Sequence, residues 1–298
     1  MDFVRYLQIA VLALIQGAAE LLPVSSSAHV ILAQRVMGMD PSQAPQVFLL
    51  VMLHTGTMFA VIVYFWPRWR RMLTAPPGAP AAQTPRWHFV KMLVLATACT
   101  GCLGLGLKVF IEQVILVRLL AYPTGQIEEL FKHLWLIGAA LVAVGLFILA
   151  AGSRETAAEG GMLSTRATLW IGLVQGLCLP FRGFSRSGAT ISTGLFCGVS
   201  RSLSEDFSFA LAVVLTPPVQ VYSLHKLLKD RAFSTTTVTE ELAPGLVGMV
   251  FSFAAGLVAL RFLSAVLEKG RWRYFGYYCL LAAAVVFGAH FFLPEPGH

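Results

Sequence analysis

Six uninterrupted apolar runs, at 46–66, 89–111, 133–152, 203–228, 244–267 and 272–293, dominate this 298-residue chain. A helix needs roughly 20 residues to cross a hydrocarbon core, and each of these runs is that long or close to it. A chain that is 57% hydrophobic and 12% charged carries about half the charge expected of a soluble domain. Water is therefore not its main solvent.

Two further apolar stretches, 3–36 and 167–199, are each interrupted near the middle by polar residues, glycine and proline. Broken helices at membrane depth are tolerated only where protein buries them or where they line a wet cavity. Read as re-entrant hairpins, they complete the expected fold class: an all-α polytopic membrane protein with six full transmembrane helices and two re-entrant helical hairpins. The net charge of +7 resides in short loops, which suits membrane orientation rather than nucleic-acid binding. On this layout the face formed by 67–91, 153–166 and 268–273 holds ten Lys and Arg. The opposite face holds five, Arg118, Lys132, Lys226, Lys229 and Arg231. The richer face is expected to be cytoplasmic.

The two broken stretches share an order of features. Gln16-Gly17, Leu22-Pro23 and Ser25-Ser26-Ser27-Ala28-His29 run parallel to Gln175-Gly176, Leu179-Pro180 and Ser185-Arg186-Ser187-Gly188-Ala189-Thr190. Each precedes three of the six spans. The chain is one membrane domain, 1–298, read as two halves, 1–152 and 153–298. Each half makes an odd number of crossings, so the second enters from the opposite side, an inverted-topology repeat whose broken elements meet near the midplane. The stretch 75–85 is rich in Ala and Pro and reads as a linker. Residues 7–15 resemble a signal-peptide core, but the basic residues before them are sparse and polar residues stand where cleavage would occur, so they read as retained structure.

Glu20 is a carboxylate within an apolar segment, where insertion costs about 2.5 to 3.5 kcal/mol. Gln16 lies one helical turn earlier on the same face, and Ser25, Ser26, Ser27 and His29 follow at once. These are a metal ligand or base, candidate nucleophiles and a proton-transfer group; Ser25 to Ser27 also suit the cap of a helix. The second stretch offers Arg186 with the hydroxyls of Ser185, Ser187 and Thr190 just before an apolar helix, a cradle for phosphate oxygens.

The run from Gln16 through Glu20 to Pro23-Val24-Ser25-Ser26-Ser27-Ala28-His29 resembles the Glu/Gln-x-x-x-Glu and Pro-Val-Ser-Ser-x-Gly-His signature of the undecaprenyl pyrophosphate phosphatases, the bacitracin-resistance family. Gly183-Phe184-Ser185-Arg186-Ser187-Gly188-Ala189-Thr190 is similar to its second signature, Pro-Gly-x-Ser-Arg-Ser-x-x-Thr, and Phe207-Ser208-Phe209 with Leu211-Ala212-Val213 fits the family farther on. The resemblance spans nearly the whole chain. It implies an enzyme of the bacterial cytoplasmic (inner) membrane that hydrolyses undecaprenyl pyrophosphate to undecaprenyl phosphate and inorganic phosphate, recycling the lipid carrier for peptidoglycan synthesis. The site would open toward the periplasm or exterior, assisted by a divalent cation, Mg2+ or Ca2+. Glu20 and Gln16 would handle metal or water, Ser26 would be the nucleophile or orient water, and His29 would transfer protons. Arg186 would act in catalysis and, with Ser25, Ser27, Ser185, Ser187 and Thr190, hold the phosphates. A homo-oligomer is compatible with the sequence.

Three departures stand out. Ala28 replaces the usual Gly, Gln16 stands at the Glu/Gln position, and Leu179-Pro180-Phe181-Arg182-Gly183 makes the second loop one residue longer. The runner-up reading is a lipid-phosphate or anion transporter, since inverted repeats with broken helices serve transport; an acid, a hydroxyl and an imidazole together favour hydrolysis. The five cysteines, including Cys99 and Cys102 in a C-x-x-C, read as apolar packing, and His54, His88 and His225, outside both motifs, as packing or interfacial residues.

Overall fold

The computed structural model describes residues 2–40, 43–74, 86–119, 133–153, 161–229 and 235–292. Every regular element among them is helical: α1 (Asp2–Leu21), α2 (Ser26–Val36), α3 (Ala44–Thr74), α4 (Arg86–Phe110) with a π-helical continuation (Ile111–Leu119), α5 (Leu134–Gly152), α6 (Thr165–Cys178), α7 (Arg186–Phe196), α8 (Arg201–Lys229), α9 (Thr235–Glu268) and α10 (Arg273–Phe292). Among the described residues, seven helical segments are long and apolar enough to cross a membrane: the six apolar runs and, in addition, Phe3–Leu21. The chain is an all-α, multi-pass membrane protein. The linker at 75–85 and the basic residues Lys132, Arg154 and Arg231 lie outside the described residues, as does most of the stretch 113–132.

Apolar pattern places α3 but not its end. The helix continues through Pro67 to Thr74, although the apolar run stops at Trp66. Pro67 forfeits one backbone donor, and tertiary contacts compensate: Arg68 reaches Glu205 of α8 at 3.0 Å and Asp206 at 3.5 Å, and Trp69 packs against two buried apolar clusters. Ser264 of α9 donates to Glu205 at 2.6 Å and accepts from Tyr64 at 3.0 Å. One polar network thus ties α3, α8 and α9 together.

In each broken stretch the second helix packs against the first. Ile9, Leu12 and Ala13 of α1 share a buried cluster with Val30 of α2 and with Leu49 and Leu53 of α3. α7 likewise packs on α6. α2 and α7 are each 11 residues long, and their ends match position by position. Met39 N–H donates to the Gln34 carbonyl and Val199 N–H to the Gly194 carbonyl, each past a glycine in the left-handed region, Gly38 at φ 69° and Gly198 at φ 76°. Both are Schellman-type stops.

The first half-helices correspond as well. α1 lies against α9 at Gly17, where a Cβ would stand 2.5 Å from the Ser252 carbonyl oxygen. α6 lies against α4 at Gly176, where a Cβ would stand 3.0 Å from the Thr100 carbonyl oxygen. At Gly17 a side chain would force the backbones apart, and at Gly176 it would make the neighbour give by a few tenths of an ångström. The residue after each Gln is therefore the point at which each broken element is pressed against a full span.

Candidate active site

The first turn of each second half-helix converges on one carboxylate. Gln16, fully buried on the same face of α1, donates its amide to Glu20 Oε2 at 3.2 Å. Beyond α1 the chain breaks at Leu22–Ser25, and Ser25 holds φ 67°, the only described non-glycine residue with positive φ. A strained residue of this kind persists only when its surroundings over-determine it, and such residues cluster at functional sites. The turn aims Ser26, the first residue of α2, so that its hydroxyl donates to Glu20 Oε2 at 2.5 Å. From the other half, Arg186, the first residue of α7, donates through a terminal guanidinium nitrogen to Glu20 Oε1 at 3.0 Å.

The two turns also touch directly. Gly183 N–H donates to the Ser27 hydroxyl at 3.4 Å, and the Ser187 hydroxyl donates to the Leu22 carbonyl at 3.2 Å. Gly183, in the second loop, takes φ 99°, a conformation that favours glycine. Beside the carboxylate a narrow crevice is lined by Glu20, His54, Thr57, Arg186 and Thr216, with Leu21, Met58, Val61, Ala212 and Val213 as its apolar wall. It lies between α1, α3, α7 and α8.

The hydroxyls expected to grip phosphate are largely engaged within the protein. Ser185 caps α7, its oxygen accepting from Gly188 N–H at 3.2 Å and lying 3.4 Å from the Ser187 hydroxyl. Thr190 donates to the Arg186 carbonyl at 2.8 Å and pairs with Ser208 of α8 at 2.6 Å. Ser25, at the head of α2, makes no side-chain cap bond; its hydroxyl lies 3.3 Å from that of Ser27. The start of α2 is thereby uncapped by its own serine, and the start of a helix favours an anion.

His29 is oriented away from Glu20. Its Nδ1 lies 2.8 Å from the Ser25 carbonyl oxygen and its Nε2 lies 2.8 Å from the Tyr278 hydroxyl of α10, with the two rings stacked 5.7 Å apart. His54, read from sequence as a packing residue, instead stands 3.6 Å from Glu20 Oε2 inside the crevice. A signal for it was present. A titratable side chain in an apolar span, followed by Thr55 and Thr57, calls for the reasoning that singles out Glu20. Tyr278 carried no comparable signal, because tyrosine is common near span ends.

The family model described as bacitracin resistance protein BacA matches residues 9–285. Among curated proteins, the chain is 52% identical over 286 residues to undecaprenyl-diphosphatase 2 of Acinetobacter baylyi, covering 94% of this chain and 96% of that one. It is 33% identical over 294 residues to the undecaprenyl-diphosphatase of Desulfosudis oleivorans and 31% over 289 residues to that of Korarchaeum cryptofilum, again over 94% of this chain and 96% and 97% of theirs. With the broken-helix residues converging on Glu20 and a match over nearly its full length, the chain belongs to the bacitracin resistance protein BacA family.

Proposed function

We propose that this chain is an undecaprenyl-diphosphatase that removes the terminal phosphate of the lipid diphosphate, leaving undecaprenyl phosphate and inorganic phosphate and so returning the carrier to peptidoglycan synthesis. The observation that carries the reading is one carboxylate, Glu20, joined to the Ser26 hydroxyl on one oxygen and to the Arg186 guanidinium on the other. Ser26 Oγ attacks the terminal phosphorus while Glu20 accepts its proton. The bridging P–O bond breaks and its electron pair leaves on the lipid phosphate. Water then hydrolyses the phosphoserine. Arg186 and the starts of α2 and α7 stabilise the charge that spreads over the phosphoryl oxygens. Anion carriage needs the arginine and the helix starts but gives no use to a serine bonded to an acid.

Mg2+ or Ca2+ remains the cation this chemistry calls for, and both take oxygen ligands. Both Glu20 oxygens are already bonded, and among the described residues no three His, Cys, Asp or Glu side chains gather as a metal site. These residues do not fit a resident ion in a protein cage. The buried Gln16 Oε1, which has no hydrogen-bond partner, is the protein oxygen left open to one. The cation is proposed to arrive on the diphosphate as its counterion.

The inverted repeat, with both hairpins re-entrant in the inner membrane and the crevice opening to the periplasm or exterior, completes the proposal. The matching ends of α2 and α7, the paired contacts at Gly17 and Gly176, and the Lys/Arg asymmetry of the loops support it. The test is phosphate release from undecaprenyl diphosphate by purified protein, with and without chelator. Release that stops with Ser26→Ala is expected; no turnover with any cation would overturn the reading.

A further inference from the structure

His54 lies outside both sequence motifs, yet α3 carries its imidazole into the crevice that Glu20 and Arg186 line. Its Nδ1 stands 2.8 Å from the Leu50 carbonyl oxygen. A carbonyl only accepts, so Nδ1 carries the hydrogen, and in the neutral ring Nε2 presents a lone pair. That nitrogen is 3.6 Å from Glu20 Oε2, the oxygen that also accepts from Ser26 at 2.5 Å. An acceptor nitrogen therefore faces the oxygen that receives the Ser26 hydroxyl, the placement a proton relay needs. The imidazole supplied by the motif cannot take this part as placed, because both nitrogens of His29 are engaged with Ser25 and Tyr278.

We propose that His54 is a catalytic residue that takes from Glu20 the proton released by the attacking hydroxyl and delivers it to the departing lipid phosphate. This rests on the reading of Ser26 as nucleophile. In the first half-reaction the Ser26 O–H bond breaks, the Oγ–P bond forms and the bridging P–O bond breaks. The proton passes from Ser26 to Glu20 Oε2, then to His54 Nε2, then to the lipid phosphate oxygen that took the bonding pair. In the second, water attacks the phosphoserine, and its proton returns through Glu20 to Ser26 Oγ as the P–Oγ bond breaks. Leu50 holds the ring, Glu20 is the relay between hydroxyl and imidazole, and Arg186 neutralises the phosphate.

The experiment uses purified full-length His54→Ala and His54→Gln, with His29→Ala for comparison, assayed for phosphate release with and without added imidazole. Both His54 variants are expected to lose on the order of 10²-fold or more in turnover, the scale of a lost proton-transfer group. Imidazole should restore at least about tenfold in His54→Ala, which has the space to admit it, and nothing in His54→Gln or His29→Ala. A purely structural loss does not respond to free imidazole. If His54→Ala melts below wild type, His54→Gln, which fills most of the space, carries the comparison. Turnover of His54→Gln above about a third of wild type, a loss under roughly 0.7 kcal/mol, overturns the proposal. So does a loss in His54→Ala that imidazole leaves unchanged. Failure to trap labelled phosphoserine in wild type would remove Ser26 as nucleophile and make water the attacking oxygen, and imidazole rescue would still decide for or against His54.

Discussion

Replacing Arg186 with lysine keeps the charge and removes the fork. Arg186 gives one terminal nitrogen to Glu20 Oε1 at 3.0 Å while the side chain, 22% exposed, lines the crevice beside His54 and Thr216. A guanidinium can hold the carboxylate and donate to a phosphoryl oxygen at once, because its five N–H groups are fixed in a plane. An ammonium has its donors on a single atom at the end of a flexible stem. Bound to Glu20 it abandons the phosphate, and bound to the phosphate it leaves Glu20 without its partner. One preorganised donor lost at the developing charge is worth about 2.7 to 4 kcal/mol, a fall in turnover of roughly 10²- to 10³-fold. Arg182, in the lengthened loop before Gly183, is the comparison: Arg182→Lys is expected to stay within about threefold of wild type, under roughly 0.7 kcal/mol. Phosphate release at saturating lipid substrate measures both. Equal losses would refute the reasoning, because the loop would then act through net charge or a different arginine would hold the phosphate.

Gly17→Ala should destabilise the protein by about 1 to 3 kcal/mol, since the new methyl meets the backbone of α9 and only movement of α1 relieves it. Gly101→Ala, with open space around it, should be neutral or stabilise by up to about 1 kcal/mol; melting curves in detergent compare the two, and a Gly17→Ala protein as stable as wild type would contradict the close approach. Tyr278→Phe removes the hydroxyl on His29 Nε2, one hydrogen bond of about 1 kcal/mol, and should lower turnover by tenfold or less. A complete loss in that variant, with unchanged melting, would place Tyr278 in the chemistry.

The spans were legible because length and apolarity in a membrane leave a chain few options; α5 and α10 fall within a residue or two of the apolar runs that announce them. The end of α3 was not, since Pro67 reads as a stop and the contacts that carry the helix past it, Arg68 on Glu205 and on Asp206, come from α8. At the site, Glu20, Ser26 and Arg186 were legible as chemically costly residues at helix breaks, and they do meet. What the sequence could not supply was rotamer and direction. Ser185, Ser187 and Thr190 read as phosphate ligands by type, but capping and the bond to Ser208 turn their hydroxyls into the protein. His29 and His54 each set Nδ1 against the carbonyl four residues earlier, of Ser25 and of Leu50. What separates them is the neighbour at Nε2, Tyr278 for the one and Glu20 for the other, and helix packing that is not visible in a string of letters sets it.

The central claim is that one carboxylate at the meeting point of the two broken helices drives hydrolysis, and Glu20→Ala tests it most directly. Removing the side chain frees the Ser26 hydroxyl from its acceptor and leaves Arg186 without its ion pair, while an apolar methyl in an apolar segment should not oppose membrane insertion. The measurement is phosphate release from undecaprenyl diphosphate by the purified variant, alongside its melting temperature. The account predicts a folded protein with less than about a tenth of wild-type turnover, a loss above roughly 1.4 kcal/mol. A folded Glu20→Ala enzyme that keeps more than that would contradict it.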